Sequence, residues 1–118
     1  MIRGNFFDWP EAVASGERSE ALLTRPGLRI ERILSMGQAS PEGFWYDQAE
    51  DEFVALLAGC ARLRIEGDTN ALHFVSGDWV HLPAGCRHRV EWTSEDALWL
   101  AVHHVANQLS PSRADQTP

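Results

Sequence analysis

At 118 residues the chain has room for one hydrophobic core and not for two, and its 44% apolar and 23% charged residues are ordinary for a globular protein. A formal charge of −7, spread along the chain rather than gathered in a tail, argues against nucleic acid or an anionic membrane surface as a partner. No apolar run approaches the length of a membrane span, and the opening MIRGNFFDWPEAV lacks the apolar stretch of a secretory signal, so a cytoplasmic location is expected.

Residues 1–27 read as an N-terminal arm carrying a short strand, with one helical turn around Pro10 to Gly16 as the only helix the pattern supports. Short β-rich segments follow a Pro26-Gly27 turn: Leu28 to Met36, Phe44 to Gln48, Phe53 to Leu57, Ala61 to Glu66, Ala71 to Val75, Trp79 to Leu82, His88 to Thr93 and Ala97 to Val105. Gly and Pro punctuate them at near-regular spacing, which predicts an all-β barrel or sandwich over residues 28–105. Residues 106–118 are polar, contain two prolines between Ser110 and Pro118, and are expected to form a disordered tail. Five Trp in so short a chain suit a small β core or an interface. The two cysteines, Cys60 and Cys86, make neither a disulfide framework nor a CxxC zinc site and read as buried free thiols.

Chemistry concentrates in two stretches. From Gly77 the chain runs GDWVHLPAGCRH. Gly77-Asp78 turns into a strand, and Pro83 ends that strand where its missing N–H does least harm. Gly85 then supports a sharp reversal, and His88 opens the next strand facing inward. Upstream, Tyr46 and Gln48 alternate onto one strand face, followed by Glu52 and then Gly59. Together these stretches resemble the cupins of the small conserved-barrel type, over roughly Gln38 to His104. Gly77, Pro83, Gly85 and His88 match the second cupin motif, with Trp92 where an Asn is usual. Glu52 and Gly59 match the first, with Tyr46 and Gln48 where the family has two histidines and Ser40 where it has an earlier Gly.

The resemblance implies a double-stranded β-helix, or jelly-roll, barrel with a single interior site. It implies a divalent transition metal (Fe, Mn, Ni, Cu or Zn) on His88, Glu52 and the amide oxygen of Gln48, with Tyr46 as a proton donor, a phenolate ligand or a hydrogen-bonding group. It also implies a homodimer. The residues themselves leave three readings side by side: a metal-dependent enzyme acting on a small polar metabolite, a metal-free module that binds or senses a small molecule, and an interaction domain in which Glu52 and His88 merely share a charged hydrogen bond. Whether the chain is an enzyme stays open at this point.

Strand parity extends the reading. With His88 inward, Val90 and Trp92 are expected inward and Arg87 and Arg89 outward; Val80 and Leu82 face the core, which leaves Trp79 and His81 outside. Only one of His103 and His104 can face the interior, and His73 reads as structural. The FVALL segment, apolar on both faces, requires a cover, either the N-terminal Phe6, Phe7 and Trp9 or a second copy of the chain.

Overall fold

Alternation of apolar and polar residues between glycine turns produces eight antiparallel strands in the computed structural model, which describes residues 1–9 and 17–105. They are β1 (Arg18–Arg25), β2 (Leu28–Ser35), β3 (Asp51–Ala58), β4 (Cys60–Ile65), β5 (Leu72–Val75), β6 (Trp79–Leu82), β7 (His88–Thr93) and β8 (Ala97–His104). No helix occurs among the described residues. The helical turn expected at Pro10 to Gly16 and the tail at residues 106–118 lie outside them.

Five strands form one sheet in the order β1-β2-β8-β3-β6, and three form the other in the order β5-β4-β7. The strands jump between sheets as in a jelly roll, so the fold is the all-β barrel the spacing predicted. Val54, Leu56, Ala61, Leu63, Phe74, Leu82, Ala97 and Trp99 fill the space between the sheets. Leu56 is fully buried. Burying a side chain of that size contributes about 1.5–3 kcal/mol.

β1 is longer than a short strand in an arm. It pairs with β2 from Arg18↔Leu34 to Arg25↔Leu28, across the tight connection in which Pro26 pre-sets its own φ and Gly27 takes φ +75°. The N-terminal segment then lies over the outer side of this hairpin. The Arg32 guanidinium donates to the carbonyls of Asn5 (2.9 Å) and Phe6 (3.0 Å) and sits 4.0 Å from the Trp9 ring centroid. That cover does not extend to Phe53 and Trp79, which stack on the far side of the same sheet face with centroids 5.2 Å apart.

Three expectations fail for local reasons. Phe44 to Gln48 is not a strand: it meets β7 through a single bridge, Tyr46↔His88, because its other backbone bonds go elsewhere. The Phe44 N–H is taken by Pro41 in a turn, and the Gln48 carbonyl accepts from Gly85. Trp92 faces outward, at 42% exposure, while Thr93 is buried. The register against β4 runs Leu63↔Val90 and then Arg62↔Trp92, so Glu91 is an extra residue, and this bulge reverses the parity of everything after it. Cys60 is likewise exposed at the start of β4, and only Cys86 is partly buried.

Candidate functional site

Between the sheets lies a cavity of about 220 Å³. Tyr46, Gln48, Glu52 and His88 all line it, together with His103, Arg29, Glu31 and Glu17. Three structural devices bring the first four together. The Tyr46↔His88 bridge, with backbone bonds of 2.7 and 3.1 Å, fixes the incoming segment against β7. The Gly85 N–H then donates to the Gln48 carbonyl at 2.9 Å and anchors that residue, so that Gln48 and Tyr46 line the same cavity. Glu52 is on the inner face of β3, where Val54 and Leu56 point, and its Cα partners are Leu82 on β6 and His103 on β8.

The bonding around His88 sets what it can do. Nδ1 lies 2.9 Å from the Cys86 carbonyl, to which it donates, so the neutral imidazole carries its lone pair on Nε2, which faces Glu52. Nε2 and Glu52 Oε1 are 3.6 Å apart, beyond hydrogen-bond length. The direct His88–Glu52 hydrogen bond that would make the pair purely structural is therefore not formed. The Tyr46 ring stacks on the His88 imidazole at 5.3 Å, which locks the orientation of both.

His103, which the sequence left undecided, faces inward and is buried, while its neighbour His104 faces out. Nε2 of His103 donates to Glu31 Oε1 at 3.0 Å and lies 3.7 Å from Glu52 Oε2. Its Nδ1 is buried without a hydrogen-bond partner among the described residues, as is Oε1 of Gln48. Glu52 thus sits between two imidazoles, and the unpaired Gln48 oxygen belongs to a residue lining the same cavity, while His103 Nδ1 is on the side of Glu50, 3.9 Å away.

Charge in the cavity is predominantly acidic. Glu17, Glu31 and Glu52 line it, and the Arg29 guanidinium is shared between Glu31 and Glu50 at 3.4 Å each. Burial pushes the Glu52 carboxyl above the usual carboxylate range; His103 and His88 oppose this, Glu31 adds to it and Arg29 opposes it. The Tyr46 phenol is also raised, first by burial and then by Glu17 and Glu52. Of the roles open to Tyr46, a neutral O–H donor fits this environment and a phenolate does not.

Sequence reading missed Arg29, Glu31 and Glu17. Its default sends charged residues outward, but β2 runs the other way: Arg29, Glu31, Ile33 and Ser35 face inward, and Leu28, Ile30 and Leu34 face outward. The alternation in LRIERILS held that signal. Arg87 and Arg89 lie outside as expected, each with its guanidinium 5.9 Å from the Trp45 ring centroid, and Arg87 pairs with Glu66 at 2.8 Å.

The two-sheet barrel topology is that of the cupin, or jelly-roll, fold. No protein-family model matches the chain, and no curated protein does. Solved structures do. A protein of Ralstonia eutropha JMP134, named a "putative mannose-6-phosphate isomerase", is 50% identical over 90% of this chain and 100% of its own, with a TM-score of 0.85. A Cupin 2 conserved barrel domain protein from Salinispora arenicola CNS-205 is 26% identical over 76% of each chain, with a TM-score of 0.59. A cupin superfamily protein from Desulfitobacterium hafniense DCB-2 shares the fold at 18% identity, with a TM-score of 0.67 over 81% of this chain and 84% of its own. The chain has the cupin fold and belongs to the same family as the Ralstonia protein. No helix among the described residues is long and apolar enough to cross a membrane.

Proposed function

We propose that the barrel interior binds a small, uncharged polar molecule of the hydroxy-carbonyl or polyol class and moves a proton on it. The observation that carries the reading is the convergence of Tyr46, Gln48, Glu52, His88 and His103 on one cavity in which Gln48 Oε1 lacks a partner. A volume of about 220 Å³ is below the range of roughly 300–1,000 Å³ typical of drug-sized sites, which suits a metabolite. The Ralstonia relative is named for a sugar phosphate. Here Glu17, Glu31 and Glu52 line the cavity, and Arg29 is already engaged by two carboxylates, so the charge favours a neutral ligand over a phosphorylated one.

In this reading Glu52 exchanges the proton, since a carboxyl held above its ordinary range is a serviceable base closer to neutral pH. Tyr46 donates from its neutral phenol to the developing oxygen charge. The second imidazole, His103, is oriented by Glu31 and lies 3.7 Å from Glu52, close enough to favour its charged form. The cupin fold also implies a divalent metal, and the donor set fits one: the Nε2 lone pair of His88, the Glu52 carboxylate and the unpartnered Gln48 oxygen would hold it. Bound there, it would take the Glu52 carboxylate as a ligand, leave proton donation to Tyr46, and supply Lewis-acid polarisation of a substrate oxygen.

A second reading, a metal-free binding module, draws support from the composition of that set. Three His, Cys or carboxylate groups converge within 4.8 Å only at Asp51, His81 and His104 among the described residues, and those lie outside the cavity. Metal analysis of untagged protein, alongside His88→Ala, separates the two readings. Metal in the wild type that disappears in His88→Ala supports the first. Metal-free, folded wild type that gains stability with a polyol or hydroxy-carbonyl ligand supports the second: at 100 times Kd, the gain is about 2.7 kcal/mol. Neither metal nor ligand-dependent stability would defeat both. We also propose that two copies pair through the outer face around Phe53 and Trp79, and that the protein resides in the cytoplasm, where the free thiols Cys60 and Cys86 stay reduced.

A further inference from the structure

β3 and β8 place a carboxylate beside an imidazole on both faces of the larger sheet. Glu52 and His103 are Cα partners on the inner face, and the preceding and following residues, Asp51 and His104, are partners on the outer one. On that outer face β6 adds His81, whose register partner is Phe53, two residues along β3 from Asp51. Three adjacent strands thus present two imidazoles and a carboxylate to one point, with one ligand atom from each within 4.8 Å of the others.

The spacing of the two imidazoles has the dimensions of a metal site. Nε2 of His81 and Nε2 of His104 face each other at 3.3 Å. Zinc–nitrogen bonds of about 2.0–2.1 Å in a tetrahedron hold two nitrogens roughly 3.3–3.4 Å apart. Asp51 is held by the Ala84 N–H, which donates to Oδ1 at 2.7 Å, and its Oδ2 lies 4.0 Å from His104 Nδ1. One carboxylate oxygen is therefore fixed by the backbone, while the other lies on the Nδ1 side of His104 and has to turn toward the Nε2 pair to reach the same ion.

We propose that Asp51, His81 and His104 form a binding site for a zinc-like divalent cation on the outer face of the barrel, separate from the interior site. Its three ligands stand on hydrogen-bonded strands rather than loops, so little ordering is needed when the ion arrives. Two imidazoles and one carboxylate match the borderline character of zinc and suit the hard cations calcium and magnesium poorly. Three protein ligands leave a fourth position for water or an outside ligand. The site does not depend on the function proposed for the cavity, because none of its ligands lines that cavity.

Equilibrium dialysis of the untagged full chain against zinc, with metal counted by mass spectrometry, tests this in a background where the interior set is removed by Glu52→Gln and His88→Gln. One zinc per chain is expected to remain in that background. Adding His81→Gln should remove it or weaken binding at least tenfold, and adding Asp51→Asn should weaken it in the same direction. His81 is exposed, so the Gln variant should keep its far-ultraviolet circular dichroism. Calcium or magnesium in tenfold excess should not displace the zinc. Absence of zinc from the folded double variant would overturn the assignment, as would zinc uptake unchanged by His81→Gln.

Discussion

Replacing Glu52 by Gln should stabilise the protein at neutral pH, and the sign of that change tests how the cavity holds its charge. Glu52 is 7% exposed and lies 3.6 and 3.7 Å from two imidazole nitrogens. If attraction to those rings dominated, removing the carboxylate would break a buried ion pair at a cost of about 3–5 kcal/mol. The carboxyl is instead raised, chiefly by burial, so desolvation outweighs the attraction. An amide of the same shape removes that penalty. Leaving a buried polar group without full partners costs about 1–3 kcal/mol and a charged one more, so the neutral amide should gain stability, and the opposing attraction of the imidazoles keeps that gain to about 1–2 kcal/mol.

The pH dependence follows from linkage. A carboxyl whose folded-state pKa is raised contributes its full stability below the unfolded value of about 4.3, and loses it as pH rises through the folded value. Wild type and Glu52→Gln should therefore be equally stable near pH 4 and diverge as pH rises to 8. Urea unfolding with EDTA present, followed by tryptophan fluorescence, measures this, since Trp99 is buried in the core. With a slope of about 1–3 kcal/mol per molar urea, the midpoint should rise by roughly 0.5–1 M at pH 8. A variant less stable than wild type at pH 8, or a gap that does not change with pH, would refute the reasoning.

Tyr46 is the single tyrosine of the chain, so its ionisation can be followed directly in the near-ultraviolet tyrosinate band. It should ionise above the ordinary value of about 10, and Glu52→Gln should move it back toward that value; ionisation at or below 10 would remove it as a neutral donor. Gly59→Ala should cost roughly 2–4 kcal/mol in thermal or chemical unfolding, because Gly59 has φ +83° and an added Cβ would lie 2.9 Å from the Ala97 Cα. Trp79→Lys should leave the fold intact and shift the light-scattering mass from dimer to monomer at micromolar concentration. A wild-type monomer would sink the pairing.

Much of the barrel was legible because its strands obey simple rules. Seven of the eight begin and end within a few residues of where alternation and Gly or Pro turns predicted, and Leu82 and His81 take the inner and outer sides expected. Failures came from features with no local signature. Glu91 looks like any strand residue, yet as a bulge it turns Trp92 out. Tyr46 sits in a segment with strand-like composition whose backbone bonds are diverted into turns. For the site, Tyr46, Gln48, Glu52 and His88 could be grouped from motif spacing, since each stands near a turn that fixes its register. His103 could not, because its orientation depends on the pairing of β8 with β3, and the inward Arg29 and Glu31 invert the habit of charged residues facing water. The outer Asp51, His81 and His104 come from three strands spread over half the chain, so only the sheet order brings them together.

The interior site is tested most directly by anomalous diffraction at a metal absorption edge, on crystals of untagged protein grown with the divalent transition metal the protein retains on purification, or with zinc if it retains none. A difference peak inside the barrel, bonded to His88 Nε2 and Glu52 and absent in His88→Ala, is the expected result. Continuous density for His88 and Glu52 drawn into a direct hydrogen bond, with no peak between the sheets at saturating metal, would contradict it.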